Sequence, residues 1–266
     1  MTQNIKIITK RILPLVIYEF LTRVYNQLCW LIDIRGVKSR KIFLKLKDKH
    51  KGGRCFIIGN GPSLNDMDLS LLKNEITIGM NRIYLLFPKL GFSTNYYVAV
   101  NGLVVEQCAN EIEDVDSIKF VSWLTRRHVK SESDCFYIND PTGGHKIKFS
   151  KNPMYKTYFD STVTFASMQL AYWMGFDEVI LIGVDHNFVT KGENDKKITS
   201  QGDDLNHFDP SYFGKGFQWQ LPNLDRSEIS YHLAKFEFEK NGRKILDATV
   251  GGKLNIFDKV DYKDLF

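Results

Sequence analysis

The segment that most constrains this chain is Arg54-Cys55-Phe56-Ile57-Ile58-Gly59-Asn60-Gly61-Pro62-Ser63-Leu64. Its apolar run reads as a short buried parallel strand. A tight Gly-Asn-Gly-Pro-Ser turn ends the strand, and Leu64, Met67, Leu69, Leu71 and Leu72 predict an amphipathic helix over 64–73. Gly59 and Gly61 permit positive φ and a close backbone approach to a ligand. Pro62 suits a first helical turn, and Ser63 adds a hydroxyl there. Free N–H groups at such a helix start hold a phosphate. Gly59, Asn60, Gly61, Pro62 and Ser63 are therefore candidate phosphate-binding residues. A structural turn in an α/β fold is the alternative. Neither common phosphate loop is present: no Lys-Ser/Thr follows Gly61, and Leu64 stands where GxGxxG has its third glycine.

Further short runs rich in β-branched and aromatic residues read as strands at 76–79, 96–100, 119–123, 179–183 and 244–246. Helical patterns lie between them at 103–112, 162–174 and 224–241, the last with Ile229, Leu233, Phe236 and Phe238 facing inward. This alternation predicts an α/β, Rossmann-like, mostly parallel sheet with helices on both faces. Ligands of such sheets bind at the carboxyl ends of strands. Those ends carry Asn60, Asn81, Asn101 and Asp185-His186, a rim of amide and carboxylate groups. Asparagine both donates and accepts, which suits base, ribose and phosphate edges. Each asparagine alone also fits an Asx turn.

Residues 188–215 are long, polar and Gly-containing, which predicts a lid spanning about 187–223. Within it His207 sits beside Phe208, Tyr212 and Phe213. A histidine so placed is a candidate general base, with a structural or surface histidine as the alternative. No metal site is expected. Asp114-Val115-Asp116 is literally DxD but lies at the amino end of a strand, and no HExxH or metal-spaced histidine cluster exists.

Charge divides the chain. Residues 1–54 hold thirteen Lys and Arg against Glu19, Asp33 and Asp48, a net of +10, while the whole chain carries +5. A basic amphipathic arm and linker over 1–50 therefore precedes a domain over 51–266. Val37–Lys51 reads as the linker. In the arm Ile12, Val16, Phe20, Val24 and Leu28 recur at helical spacing, with Arg11, Glu19, Arg23 and Asn26 interrupting. That is too interrupted to span a bilayer. It fits a helix lying on an anionic membrane surface, or one packed on the domain or on a second copy in a homo-oligomer. Nucleic acid is not an expected partner, because the apolar face is too continuous. Four scattered cysteines without a CxxC pair favour a reducing compartment. No cleavable signal peptide is evident. The expected location is cytoplasmic, peripheral on the inner face of the cell membrane.

Gly59-Asn60-Gly61-Pro62-Ser63-Leu64, Asn81, Asn101 with Glu106-Gln107 after it, Ser161 and the run from Ala171 to Asp185 (AYWMGFDEVILIGVD) resemble two related groups. One is the bacterial lipooligosaccharide sialyltransferases, glycosyltransferase family 42. The other is the 6-hydroxymethylpterin diphosphokinase MptE-like domain, which also occurs in surface-glycan gene products with endings like Asp247-Ala248-Thr249-Val250-Gly251-Gly252-Lys253-Leu254. The resemblance covers about residues 54–255.

The sialyltransferase resemblance implies an inverting, metal-independent glycosyltransferase of lipopolysaccharide or capsule assembly. Its donor would be a CMP-sugar carrying a sialic-acid-like or Kdo-like acidic sugar, and its acceptor a glycan or lipid-linked glycan. No cofactor would be required. Asn60, Gly61 and Ser63 would meet the donor, Asn81 and Asn101 its phosphate and ribose, and Ser161 and Thr162 the sugar carboxylate or the cytidine. His207 matches the family's catalytic base. The family's two phosphate-binding tyrosines are missing, since Asn187 replaces one and no Tyr lies in 189–197. Its arginine before the Ser161 position is absent too, with Tyr158 near there. Phosphate stabilisation then falls to His186, Tyr212 or Lys215. The diphosphokinase resemblance implies instead ATP and Mg²⁺, the metal held by carboxylates such as Asp185, Asp203 or Asp204. A non-catalytic scaffold in a glycan assembly complex is a third class.

Overall fold

The computed structural model describes residues 15–130, 133–140, 146–159 and 162–266. Its strands in chain order are β1 (Arg54–Ile58), β2 (Thr77–Met80), β3 (Tyr96–Ala99), β4 (Ile118–Ser122), β5 (Cys135–Ile138), β6 (Glu178–Ile182), β7 (Lys197–Thr199), β8 (Gln218–Gln220), β9 (Lys244–Asp247) and β10 (Asp258–Lys259). Eight of them make one sheet in the order β10-β9-β6-β1-β2-β3-β4-β5, with every pairing parallel. The other two, β7 and β8, form a separate antiparallel pair. The central strands are apolar without alternation because both faces are covered. Cys55, Phe56, Ile57 and Ile58 of β1 are all fully buried. This is a Rossmann-like α/β fold. From β1 the chain adds strands in one direction to β5, then returns to place β6 on the other side of β1. The β1/β6 junction is the topological switch point, where such sheets leave a crevice at their carboxyl ends.

The α-helices of five residues or more are α1 (Leu15–Ile32), α2 (Ile34–Leu46), α3 (Gly102–Gln107), α4 (Ala109–Glu113), α5 (Val163–Met174) and α6 (Leu224–Glu239). The return crossover from β5 to β6 is α5, an almost wholly buried helix capped by Thr162, whose side chain accepts the Thr164 N–H. Helix α6 packs over it through Ser227, Ser230, Tyr231, Ala234 and Phe238. Small residues let the two helices approach closely.

Several local expectations are corrected. The helix expected over 64–73 is two 3-10 turns, Pro62–Asp66 and Leu69–Asn74, because Asp68 caps a new start by accepting the Ser70 N–H. The 103–112 helix is broken at Cys108 into α3 and α4. On α6 Phe238 is buried and Leu233 packs against the core as expected, but Ile229 and Phe236 are 55% and 56% exposed, and the rest of the buried row is mostly small. Strands β5, β7, β8 and β10 add to those expected.

The largest correction concerns Val37–Lys51. Most of it is not linker but helix α2, with Gly36, Ser39, Phe43 and Leu46 buried. Phe43 stacks on Phe120 of β4 at 5.5 Å. Its carbonyl accepts the Trp173 indole N–H at 2.7 Å. Ser39 Oγ accepts the Tyr137 N–H of edge strand β5 at 2.8 Å. Helix α2 thereby covers a sheet edge that would otherwise invite pairing. The start of the arm, residues 1–14, lies outside the described residues.

Candidate functional site

A cleft of about 680 Å³ opens over the carboxyl ends of β1, β2, β3 and β6, roofed by the lid. Its wall includes Gly59, Asn60, Gly61, Asn81, Asn101, Thr162, Asp185, His186, His207 and Tyr212. Most of the residues singled out in the sequence thus converge on one cavity. Pro62, which is exposed, and Ser63, which is buried, do not line it. Lys215 is exposed and off it. Ser161 lies outside the described residues. The DxD residues Asp114 and Asp116 are exposed ahead of β4, at the opposite end of the sheet.

The glycine turn works differently from expectation. Gly61 has φ −69°, and Gly59 is not among the positive-φ glycines. What these positions need is room. A Cβ on Gly59 would overlap the Gly183 carbonyl, and one on Gly61 would overlap the Asp185 carboxylate. The turn is tied to the exit of β6: Gly59 N–H donates to Ile182 O at 2.7 Å, and Gly61 N–H to Gly183 O at 2.8 Å. Ser63 donates both its N–H, at 3.0 Å, and its hydroxyl to Asp185. These three N–H groups are committed within the protein, so they do not form a phosphate cradle. Burial pushes the Asp185 carboxyl up, while its two bonds from Ser63 and the field of His207 pull the other way.

Ligand-facing capacity lies in the side chains. The Oδ1 atoms of Asn60 and Asn81 are buried without a partner. An orphaned buried acceptor costs about 1–3 kcal/mol, a debt that a bound donor removes. Asn81 holds φ 50° and His186 φ 53°, a left-handed conformation uncommon outside glycine. Both sit at strand ends on the cleft, where such strain gathers at functional positions. The Asn81 carbonyl accepts the Tyr97 hydroxyl. Asn101 is a helix cap: its Oδ1 accepts Leu103 N–H at 3.0 Å and Val104 N–H at 3.3 Å. Thr162 shares a 3.3 Å hydrogen bond with the Tyr231 hydroxyl.

The lid is stitched onto the sheet. Phe208 N–H donates to Asn60 O at 3.0 Å, and Asn65 Nδ2 donates to Phe208 O at 2.8 Å. Asn206 Oδ1 accepts Val189 N–H at 2.7 Å. The Arg82 guanidinium donates to the carbonyls of Ser211 and Tyr212. These bonds hold His207 over the turn after β1. The His207 ring stacks on Tyr212 at 3.9 Å with the planes 11° apart, and Phe213 meets its edge at 4.8 Å. Its Nδ1 donates to Asp204 Oδ2 at 2.6 Å. The Asp204 side chain is 1% exposed and also accepts the N–H groups of Asn206 and Phe213. Burial pushes the Asp204 carboxyl up, but the bond and charge of His207 and those two N–H groups hold it below the usual range. With Nδ1 engaged, Nε2 is the nitrogen left to accept a proton. An imidazole oriented by a buried carboxylate is the arrangement of a general base.

Sequence reasoning missed two participants. Asp204 reads in the sequence as a metal ligand, yet its i, i+3 spacing to His207 in a tight loop is the signal of this pair. Arg226, in the first turn of α6 behind the Asn223 cap, is the one Lys or Arg on the cleft wall among the described residues. Among the described residues no group of three or more His, Cys, Asp and Glu is placed to hold a metal ion.

The fold is that of a Rossmann-like α/β domain with its cleft at the carboxyl ends of the strands. The chain belongs to the 6-hydroxymethylpterin diphosphokinase MptE-like family, whose match covers residues 30–191. That range includes α2 and the β1 turn through Asp185 and His186, and ends before His207 and Arg226. Among solved structures, the MAf glycosyltransferase from Magnetospirillum magneticum AMB-1 is similar, with a TM-score of 0.51 and 15% identity. The similarity covers 86% of this chain and 39% of that one, so the chain spans well under half of that protein's length. It is a likeness of fold. No curated protein matches the chain.

Proposed function

We propose that the chain is an inverting glycosyltransferase that takes an acidic sugar, sialic-acid-like or Kdo-like, from a CMP donor. The acceptor is a hydroxyl of a surface glycan or of its lipid-linked precursor. The observation that carries this reading is the His207–Asp204 pair, mounted on the cleft wall at the switch point of the sheet. His207 Nε2 takes the acceptor proton as the acceptor oxygen bonds to the anomeric carbon. The bond from that carbon to the CMP phosphate breaks, and its electron pair leaves on the phosphate. Arg226 neutralises that charge, filling the role of the absent tyrosines. Asn60 and Asn81 receive N–H or O–H donors of the nucleotide. A monophosphate leaving group needs less charge neutralisation than a diphosphate, in keeping with Arg226 as the one Lys or Arg on the cleft wall among the described residues.

Family membership favours a second reading, pyrophosphate transfer from ATP to a pterin alcohol. It asks for Mg²⁺ held by carboxylates. Against it, Asp185 is engaged by Ser63 and Asp204 by His207. A thermal-shift panel of CMP, CDP, UDP, GDP and ATP, each with and without Mg²⁺, separates the two. CMP at 100 times its Kd is expected to stabilise the protein by ~2.7 kcal/mol without metal. Arg226→Ala should weaken CMP binding ~10-fold or more, as loss of a charged hydrogen bond does. Stabilisation by ATP only in the presence of Mg²⁺ moves the assignment to the diphosphokinase.

A further inference from the structure

Helix α1 is built inside out. Its large apolar residues Leu21, Val24, Leu28 and Leu31 are 40–54% exposed, Phe20 63% and Ile32 78%. At ~100° per residue these positions, with Ile17 and Tyr25, cover an arc of roughly 140°. The residue that anchors the helix lies on the other side. Trp30 is fully buried, stands edge-on to Trp123 at 5.3 Å and donates its indole N–H to Met154 O at 2.9 Å. Glu19, Arg23 and Asn26 share that side, and Arg23 pairs with Glu19 at 3.4 Å. The apolar face of α1 therefore points away from the domain.

The next helix supplies charge. One face of α2 is buried on β4 and β5, which turns Lys38, Lys41 and Lys45 outward, and all three are exposed. Lys47 and Lys49 follow, exposed as well. The nearby acids do not balance them: Asp33 is held by Arg35 at 2.7 Å and Glu19 by Arg23, and Asp48, exposed between Lys47 and Lys49, offsets one charge. Helix α1 is not a membrane span, since no helix among the described residues is long and apolar enough to cross one.

We propose that α1 and α2 dock on an anionic lipid bilayer, with the apolar arc of α1 lying in the interface and the α2 lysines on the headgroups. A wide apolar arc beside a polybasic segment is what interfacial binding requires. A second copy of the chain fits less well. A coiled-coil seam is narrower and flanked by charged residues, whereas this one is flanked by Phe20, Tyr25 and Ile32.

The test is sedimentation of the full-length protein with phosphatidylglycerol-containing vesicles and with pure phosphatidylcholine vesicles, alongside its mass in solution. The wild type should pellet with the anionic vesicles and much less with the neutral ones. Phe20→Glu with Leu28→Glu should reduce pelleting to background. Lys38→Glu, Lys41→Glu and Lys45→Glu together should lower anionic partitioning by ~10-fold or more and abolish its salt dependence. Nucleotide-induced thermal shifts measured in the same variants should be unchanged, which separates this face from the cleft. Failure of the wild type to pellet with either vesicle overturns the proposal. So does a dimer in solution that Phe20→Glu with Leu28→Glu dissociates while vesicles leave it unbound. Equal pelleting on both vesicle types would overturn the role given to the lysines.

Discussion

Two histidines on the cleft wall each carry a carboxylate partner, yet the pairs differ in kind. His186 Nε2 donates to Glu228 Oε1 at 2.8 Å, and His207 Nδ1 donates to Asp204 Oδ2 at 2.6 Å. The rings are similarly covered, 8% and 12% exposed, but Glu228 is 49% exposed and Asp204 1%. Glu228 is a half-exposed side chain on the water-facing part of α6, where an ion pair contributes about 0–1 kcal/mol. Asp204 is fixed by two backbone N–H groups before it meets His207. Its partner is further clamped by the Tyr212 stack. The engaged nitrogen differs as well: Nδ1 in His207, which leaves Nε2 for chemistry, and Nε2 in His186. Preorganisation, more than the mere presence of a carboxylate, distinguishes a base from a structural pair.

That contrast breaks if His207 is dispensable. His207→Ala is expected to lower sugar transfer by ~10²–10⁴, the range for a general base. CMP affinity should change little, because the proposed base faces the acceptor. The limb of the pH–rate profile that reports the base should vanish. Near-normal turnover would end the proposed mechanism and leave only the fold in common with glycosyltransferases.

Asp204 tests preorganisation itself. Asp204→Asn keeps the shape of the side chain but removes its charge and places an amide where His207 Nδ1–H and two backbone N–H groups all need acceptors. Turnover should fall about 10–100-fold, as when a group that orients a histidine is lost, again with nucleotide affinity preserved. Stability carries a sign that can be checked. Burial works to raise the Asp204 carboxyl, but its hydrogen bonds win and hold it below the ordinary range. The native state then gains from this group above the unfolded carboxyl pKa of about 3.9, and loses that gain as pH falls through the lower folded value. The melting temperature of Asp204→Asn should lie below wild type at neutral pH, with the difference narrowing on acidification. A constant difference across pH would mean that the charge of Asp204 contributes nothing.

The architecture was legible because buried parallel strands announce themselves as unbroken apolar runs, and their ends named Asn60, Asn81, Asn101 and Asp185 directly. The use made of those residues was less legible. Gly59 and Gly61 looked like a ligand cradle, but their lack of a Cβ serves the packing of one strand exit on another. Helix α2 read as linker because its buried face is carried partly by Gly36 and Ser39, while lysines crowd its outer face. Apolar periodicity is blind to a helix whose key contacts are a serine hydroxyl on a strand edge and a carbonyl beneath a tryptophan. The same limit hid Ser227, Ser230 and Ala234 on the packing face of α6 and left Arg226 unremarked. A residue such as Arg226 acquires meaning only when the chain folds it onto a wall built by segments more than a hundred residues away.

The smallest expected effect sharpens the contrast most. Glu228→Gln leaves an acceptor for His186 Nε2–H and removes only a half-exposed charge. Stability should change by less than about 1 kcal/mol, the scale of an exposed pair, and turnover should stay within about twofold. His186→Ala goes further. It removes a ring from the cleft wall while the left-handed backbone at φ 53° stays unrelieved, because alanine also carries a Cβ, so its cost should appear in nucleotide binding and not in the catalytic step. Steady-state kinetics distinguish the two histidines. A rise in donor KM with kcat retained marks loss of ground-state binding, and an equal fall of kcat and kcat/KM marks an interaction made in the transition state. His186→Ala should follow the first pattern and His207→Ala the second. If Glu228→Gln instead lowers kcat as far as Asp204→Asn does, the exposed carboxylate is orienting a base after all, and the roles assigned to the two pairs must be exchanged.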